Sequence, residues 1–170
     1  QSLYERHKLT TYPRTDSRYL PTDMKETINT TLSNLGKLDD MKGFIETLTS
    51  NGLKNEKRNF NDAKVSDHFA IIPTGNLPTS SLSKDEQRLY NMIVRNFIAS
   101  WYGEALIEKQ KRTADLGGEI FTKEAQQYTT LGWREVVPKN LTFPEGWGTV
   151  SEELPMADIS SHEWSEEKSK

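Results

Sequence analysis

The sequence predicts an α+β chain, and three observations carry that reading. Between Ser83 and Tyr102 apolar residues recur three and four apart, the spacing of one buried helix face. Beyond Gly103 the pattern turns to short runs punctuated by glycine, as in strands joined by tight turns. Ahead of both lies the run Leu9 to Pro21, rich in hydroxyls and charge and broken by Pro13, which no regular helix accommodates.

Taken in order, Gln1 to His7 reads as the last turns of a helix with Leu3 and Tyr4 on its apolar side. Asp23 and Glu26 have the spacing of a capping box, followed by Met24, Ile28, Leu32 and Leu35 at helical intervals. Phe44, Ile45 and Leu48 predict another short helix, ended by Asn51-Gly52. Residues 53–67 are polar and irregular and read as a mobile surface loop. Phe69-Ala70-Ile71-Ile72 predicts a short buried strand or extended segment, with His68 at its mouth.

The strongest helix is 84–102. Ser83 and Glu86 supply its capping box, and Leu89/Ile93/Phe97/Trp101 and Tyr90/Val94/Ile98/Tyr102 form two ridges. So wide an apolar face belongs in a core. Leu106 to Ala114, Glu119 to Thr122 and Tyr128 to Val137 read as strands, with turns at Gly117-Gly118 and Gly132-Trp133. The organisation expected is a mainly helical domain over 1–105, strands over 106–137, and an acidic linker or poorly ordered tail over 138–170.

Net charge is −3, which argues against a freestanding basic surface for nucleic acid. Residues 151–170 carry six acidic and two basic side chains, leaving the first 150 at about +1. With no cysteine there is no disulfide framework and no thiolate metal site. No apolar run reaches membrane-spanning length, so no membrane partner is expected. The chain starts at Gln1 and reads as a piece of a longer polypeptide. No Asp-x-Asp pattern occurs, and Asp39-Asp40 has no third acid beside it, so no metal ligands are expected.

The chemistry concentrates in Tyr12-Pro13-Arg14. Proline pushes the residue before it into an extended conformation, and in extended chain residues two apart face the same way. Tyr12 and Arg14 are thereby able to address one object. A neutral phenol is a weak nucleophile, since a pKa near 10 leaves about one molecule in a thousand ionised at neutral pH. Arginine's forked donors match phosphate oxygens and stabilise the charge that gathers on phosphorus during attack. On residue type alone, a loop tyrosine is more often a packing residue.

Two motifs decide the matter. Leu3-Tyr4-Glu5 with Leu9-Thr10-Thr11-Tyr12-Pro13-Arg14-Thr15-Asp16-Ser17-Arg18-Tyr19-Leu20 resembles the active-site segment of type IA DNA topoisomerases, in the Tyr-Pro-Arg form of the bacterial topoisomerase III group. Asp67-His68-Phe69-Ala70-Ile71-Ile72-Pro73-Thr74 resembles the family's downstream histidine motif. The stretch from Gly118 to Val137 also resembles the return into the family's β arch, more weakly.

The resemblance implies an isomerase that cuts one strand of DNA through a 5′-phosphotyrosyl link, passes another strand and religates without ATP, relaxing negative supercoils or decatenating DNA. It implies Tyr12 as nucleophile, Arg14 on the scissile phosphate and His68 as hydrogen-bond donor or proton relay. Thr15, Asp16 and Ser17 are expected to hold the loop by side-chain to backbone bonds. Arg14, Thr15, Ser17, Arg18, Lys57 and Arg58 are the residues expected to meet DNA. Single-stranded DNA and the remaining domains of the same polypeptide are the implied partners, in the cytoplasm at the bacterial nucleoid. The family's magnesium site lies in a separate toprim domain, so this chain is expected to bind no cofactor and to be inactive alone. His7 and His162 read as surface residues, and Trp133, Trp147 and Trp164 as core or incidental surface positions rather than base-stacking platforms. Relaxases fail because the three histidines are too scattered for a metal clamp, and recombinases because Ile71 stands three residues after His68. A noncatalytic DNA-binding or assembly module of the same fold is the alternative, disfavoured by the intact Tyr12, Arg14 and His68.

Overall fold

The computed structural model describes residues 1–65, 67–79, 81–139, 141–145 and 147, and the backbone of 164–169. It is α+β and divides into two compact units, residues 1–103 with 133–138, and 104–132 with 139–170. The first unit therefore takes back a segment that the sequence pattern assigned to the strands.

Among the described residues five helices lie in the first unit: α1 (Ser2–Glu5), α2 (Lys25–Leu35), α3 (Asp39–Asn51), α4 (Glu56–Asn59) and α5 (Lys84–Ala99). Helix α2 buries Ile28, Leu32 and Leu35, as their spacing predicts. Its start differs from expectation. Asp23 does not cap it; a 3-10 turn over Thr22–Met24 leads in, and no side chain caps the helix. The anion comes instead from Asp62, whose carboxylate accepts from Thr22 N at 2.8 Å and Thr22 Oγ1 at 2.7 Å. Those bonds hold the Asp62 pKa below its usual value.

Helix α3 buries Met41, Ile45 and Leu48 and ends at Gly52, whose φ of +71° is the left-handed conformation glycine tolerates best. Helix α5 carries the full capping box: Ser83 Oγ accepts from Glu86 N, and Ser83 N donates to Glu86 Oε2. It buries Tyr90, Val94, Phe97 and Ile98, and Trp101 just beyond its end is fully enclosed against Phe60 and Phe97. Leu89 is 44% exposed, so the first ridge reaches the core only from its second turn.

The described residues of 53–67 include α4 and a 3-10 turn over Asp62–Lys64 and are tied into the first unit, unlike the expected mobile loop. Phe60 is buried, Leu20 and Phe60 form a parallel bridge, and Asn59 Nδ2 donates to Ser100 O at 2.8 Å. One buried aromatic in a polar stretch is enough to anchor it, and that signal has no period.

In the second unit β1 (Leu106–Leu116) and β2 (Glu119–Thr130) form an antiparallel hairpin about Gly117-Gly118. Both glycines have positive φ, as the hairpin turn requires, and Asp115 Oδ1 accepts from Gly118 N. A third strand, β3 (Trp164–Ser169), pairs with the other edge of β1, giving the order β2-β1-β3. Part of the stretch read as a tail is thus a strand; the rest, apart from 138–139, 141–145 and 147, lies outside the described residues. The strand expected over Tyr128 to Val137 stops at Thr130, because Gly132, at φ +50°, turns the chain into a 3-10 turn over Gly132–Glu135. Val136 then enters the first unit's core, with its carbonyl accepting from Arg95 Nη1 at 3.0 Å.

Candidate active site

The two motifs, 56 residues apart between Tyr12 and His68, meet through backbone pairing. Leu9 and Thr10 are buried, and Thr10 forms an antiparallel bridge with Pro73. Thr74 N donates to Leu9 O and Thr11 N to Ile72 O. The Thr11 side chain adds a second clasp, donating to Ala70 O at 3.1 Å and accepting from Ile72 N at 2.9 Å. Farther along, Thr15 Oγ1 donates to His68 O at 3.1 Å, Ala70 N donates to Tyr19 O, and Ser17 Oγ donates to Lys64 O at 2.8 Å. Thr11, Thr15 and Ser17 therefore meet Ile72, His68 and Lys64 in opposite chain order, and Tyr19 turns back to Ala70.

This pairing sets the Tyr12 ring 4.7 Å from the His68 ring, tilted by 46°. On another side Tyr4 of α1 packs edge-on against Tyr12 at 5.3 Å. Tyr12 is still 38% exposed, and His68 and Arg14 are exposed too. The phenol is thus braced by two rings but open to a ligand. Arg14 makes no hydrogen bond or ion pair among the described residues, which leaves its donors free for an anion.

The loop residues behave as expected in part. Thr15 Oγ1 accepts from Ser17 N at 3.0 Å and Ser17 Oγ from Tyr19 N at 3.1 Å, the side-chain to backbone bonds that shape such a turn. Asp16 makes none among the described residues. Arg18 donates to the Tyr19 hydroxyl at 3.1 Å. Lys57 and Arg58 sit exposed in the last turn of α4, and no contact joins them to the Tyr12 segment among the described residues.

His7 is not the surface residue its sequence context suggests. Its side chain is 6% exposed, with Nε2 3.3 Å from Glu86 Oε1. Ser2 Oγ also donates to that carboxylate, at 2.5 Å. The Ser2 bond, then those from Ser83, bring the Glu86 pKa down to about 2. Glu86 thus ties α1, and with it Tyr4, to the start of α5. Trp147 is buried, with Nε1 donating to Gln110 Oε1 at 2.6 Å, whereas Trp133 is half-buried under the Arg134 guanidinium. His162 lies outside the described residues. Thr11 and Tyr19 are the residues sequence reasoning missed. Thr11 lies inside the tyrosine motif, where its hydroxyl was readable as a strand-pairing group; Lys64 belongs to the cations of 54–64, which as a group are candidates for backbone phosphates by their charge.

Among the described residues no three His, Asp or Glu side chains are grouped to hold a metal ion, and Asp39 and Asp40 lie exposed in the first turn of α3. The described residues offer no grouping that fits a magnesium site. No helix among them is long and apolar enough to cross a membrane.

The Tyr12 phenol thus lies beside the His68 imidazole, with the Arg14 guanidinium two residues on and unengaged among the described residues. The match to known proteins is specific: a family model described as DNA topoisomerase covers residues 1–162, and the chain belongs to that family, on its type IA, topoisomerase III-like branch. It is similar to DNA topoisomerase 3 of Bacillus subtilis, 42% identical over 137 residues, which is 80% of this chain and 19% of that protein. DNA topoisomerase 3 of Shouchella clausii is 40% identical over 79% of the chain and 18% of its own length. For that of Bacillus cereus the values are 33%, 91% and 21%. The chain spans about a fifth of the length of these relatives.

Proposed function

We propose that this chain carries the nucleophile of an enzyme that cuts and rejoins single-stranded DNA. The Tyr12 oxygen attacks a backbone phosphorus; the new O–P bond forms as the bond to the 3′-oxygen breaks. The phenol proton leaves and the departing 3′-oxygen gains one, with His68 positioned beside the phenol to relay it. Arg14 holds the phosphate oxygens and offsets the charge that builds on them. The product is a 5′-phosphotyrosyl ester that keeps the energy of the broken bond, so the reverse attack by the 3′-hydroxyl needs no nucleotide. Passage of another strand before rejoining changes DNA topology, by relaxing negative supercoils or by decatenation.

The observation that carries this reading is the 4.7 Å contact of the Tyr12 and His68 rings, built by pairing two motifs distant in sequence. Strand passage needs domain motion and a metal site that the described residues do not form, so this chain by itself is proposed to be inactive, with magnesium held elsewhere in the polypeptide. A place at the bacterial nucleoid follows from the same substrate. The test is to graft this chain in place of its matched stretch in the Bacillus subtilis relative and assay plasmid relaxation. The parent graft should relax DNA and Tyr12→Phe should not. Equal relaxation by both would refute the nucleophile assignment.

A further inference from the structure

Arg18, Tyr19 and Lys64 form a cluster that the cleavage chemistry does not use. Arg18 Nη2 and Lys64 Nζ both donate to the Tyr19 hydroxyl, at 3.1 and 3.3 Å. Both cations also lie over the face of the Tyr19 ring, at 5.2 and 5.1 Å from its centroid. Sharing one oxygen keeps the two charges within roughly 6 Å of each other, where they repel. Neither has a carboxylate partner among the described residues: of the acids nearest in sequence, Asp16 and Asp67 pair with neither, and the Asp62 carboxylate is bonded to Thr22. A neutral phenol is poor compensation for two positive charges. Their donors together favour an anion with at least two oxygens, as a phosphodiester has. The phenol's own pKa is lowered, by Arg18 first and Lys64 second.

The cluster is held in place rather than dangling. Lys64 ends the 3-10 turn Asp62–Lys64, which Asp62 fastens to Thr22, and its carbonyl accepts from Ser17 Oγ. Ala70 N fixes the Tyr19 carbonyl. Thr15 meets His68 and Ser17 meets Lys64, so the chain passes from the Tyr12–His68 contact to the Lys64 turn before the Tyr19 carbonyl returns to Ala70. Seven residues separate Tyr12 from Tyr19, a span of about 25 Å at most even for fully extended chain. A strand of a few nucleotides covers it.

We propose that Arg18 and Lys64, bridged by the Tyr19 hydroxyl, form a second backbone-phosphate site that grips the single strand a few nucleotides from the bond Tyr12 cuts. The inference rests on the DNA-cleavage reading and adds a site to it. Its contacts reach only phosphate, so it holds register and contributes no sequence preference.

The experiment is fluorescence anisotropy of the chain itself with a labelled thymidine dodecamer, between 50 and 200 mM salt. On single strands each phosphate contact adds about 0.7 to the slope of log affinity against log salt, or about threefold over that range. Arg18→Gln and Lys64→Gln should each weaken binding about three- to tenfold at 50 mM salt and flatten the slope by about 0.7. The double variant should lose less than the product of the two, since one phosphate is shared. Lys37→Gln, the same change in charge on a distant loop, sets the nonspecific baseline. Losses no greater than that baseline, full additivity, or no binding by the parent chain at 50 mM salt would overturn the clamp. A trapped Tyr12 adduct would survive any of those outcomes, so the two readings fail separately. Unchanged helical circular dichroism in each variant excludes unfolding as the cause.

Discussion

Replacing Thr11 by valine tests how the two motifs are held together. The Thr11 hydroxyl donates to Ala70 O and accepts from Ile72 N, and Ile72 is 6% exposed. Losing the first bond costs about 1 kcal/mol net. Losing the second leaves a buried N–H without a partner, at about 1–3 kcal/mol. Together these predict a loss of about 2–4 kcal/mol, since valine keeps the shape but offers no oxygen. Among the described residues all the helices lie in the first unit, so circular dichroism at the helix band follows that unit during urea unfolding. With a urea slope of about 2 kcal/mol per molar, the midpoint should fall by about 1–2 M. Thr11→Ser keeps the hydroxyl and loses one half-buried methyl, so it should cost less than about 0.8 kcal/mol. The reasoning is refuted if valine and serine destabilise equally, or if valine leaves the midpoint within about 0.2 M of the parent.

Four further outcomes follow from the packing. Gly75→Ala should destabilise by about 2–3 kcal/mol in the same urea experiment: φ is +85°, which costs an L residue about 1–2 kcal/mol, and the added Cβ meets the Thr31 Cα at 3.1 Å. Gly43→Ala, in the middle of α3 with open space around it, should instead stabilise by about 1 kcal/mol. In acid, Glu86 contributes stability that is complete above the ordinary carboxylate pKa of 4.5 and lost as pH falls through about 2; Glu86→Gln should flatten the unfolding midpoint against pH across that window. In alkali the sign reverses for the phenol. Burial pushes the Tyr90 pKa up to about 12, so its contribution is whole below pH 10 and declines as pH rises through 12, a decline that Tyr90→Phe should remove.

The parts of the fold that were legible in the sequence are those with a period or a cap. Ser83 with Glu86, and Tyr90, Val94 and Ile98 on one ridge, define α5 because the same residues both start the helix and bury its face. Asp23 and Glu26 show the same spacing without the cap, because Asp62, forty residues from Thr22, supplies the anion there. Partners so distant leave no local mark. Phe60 and Val136 were misread for a related reason, each being a single buried side chain that anchors an irregular stretch. In the site, Tyr12, Arg14 and His68 were readable because their residue types and motifs carry the chemistry. Thr11, Tyr19 and Lys64 matter through where the paired segments place them, which follows only from the tertiary bonds.

Adduct mapping addresses the central claim most directly. The grafted enzyme is incubated with a single-stranded oligonucleotide labelled at its 3′ end, stopped with detergent and digested with trypsin. Cleavage after Lys8 and Arg14 isolates Leu9 to Arg14, a peptide whose one tyrosine is Tyr12; Tyr19 falls in a different peptide. The label should travel with Leu9 to Arg14, and a 5′ label should leave the protein unmarked. Label on the Tyr19 peptide or any other, or protein marked from the 5′ end, would contradict the account.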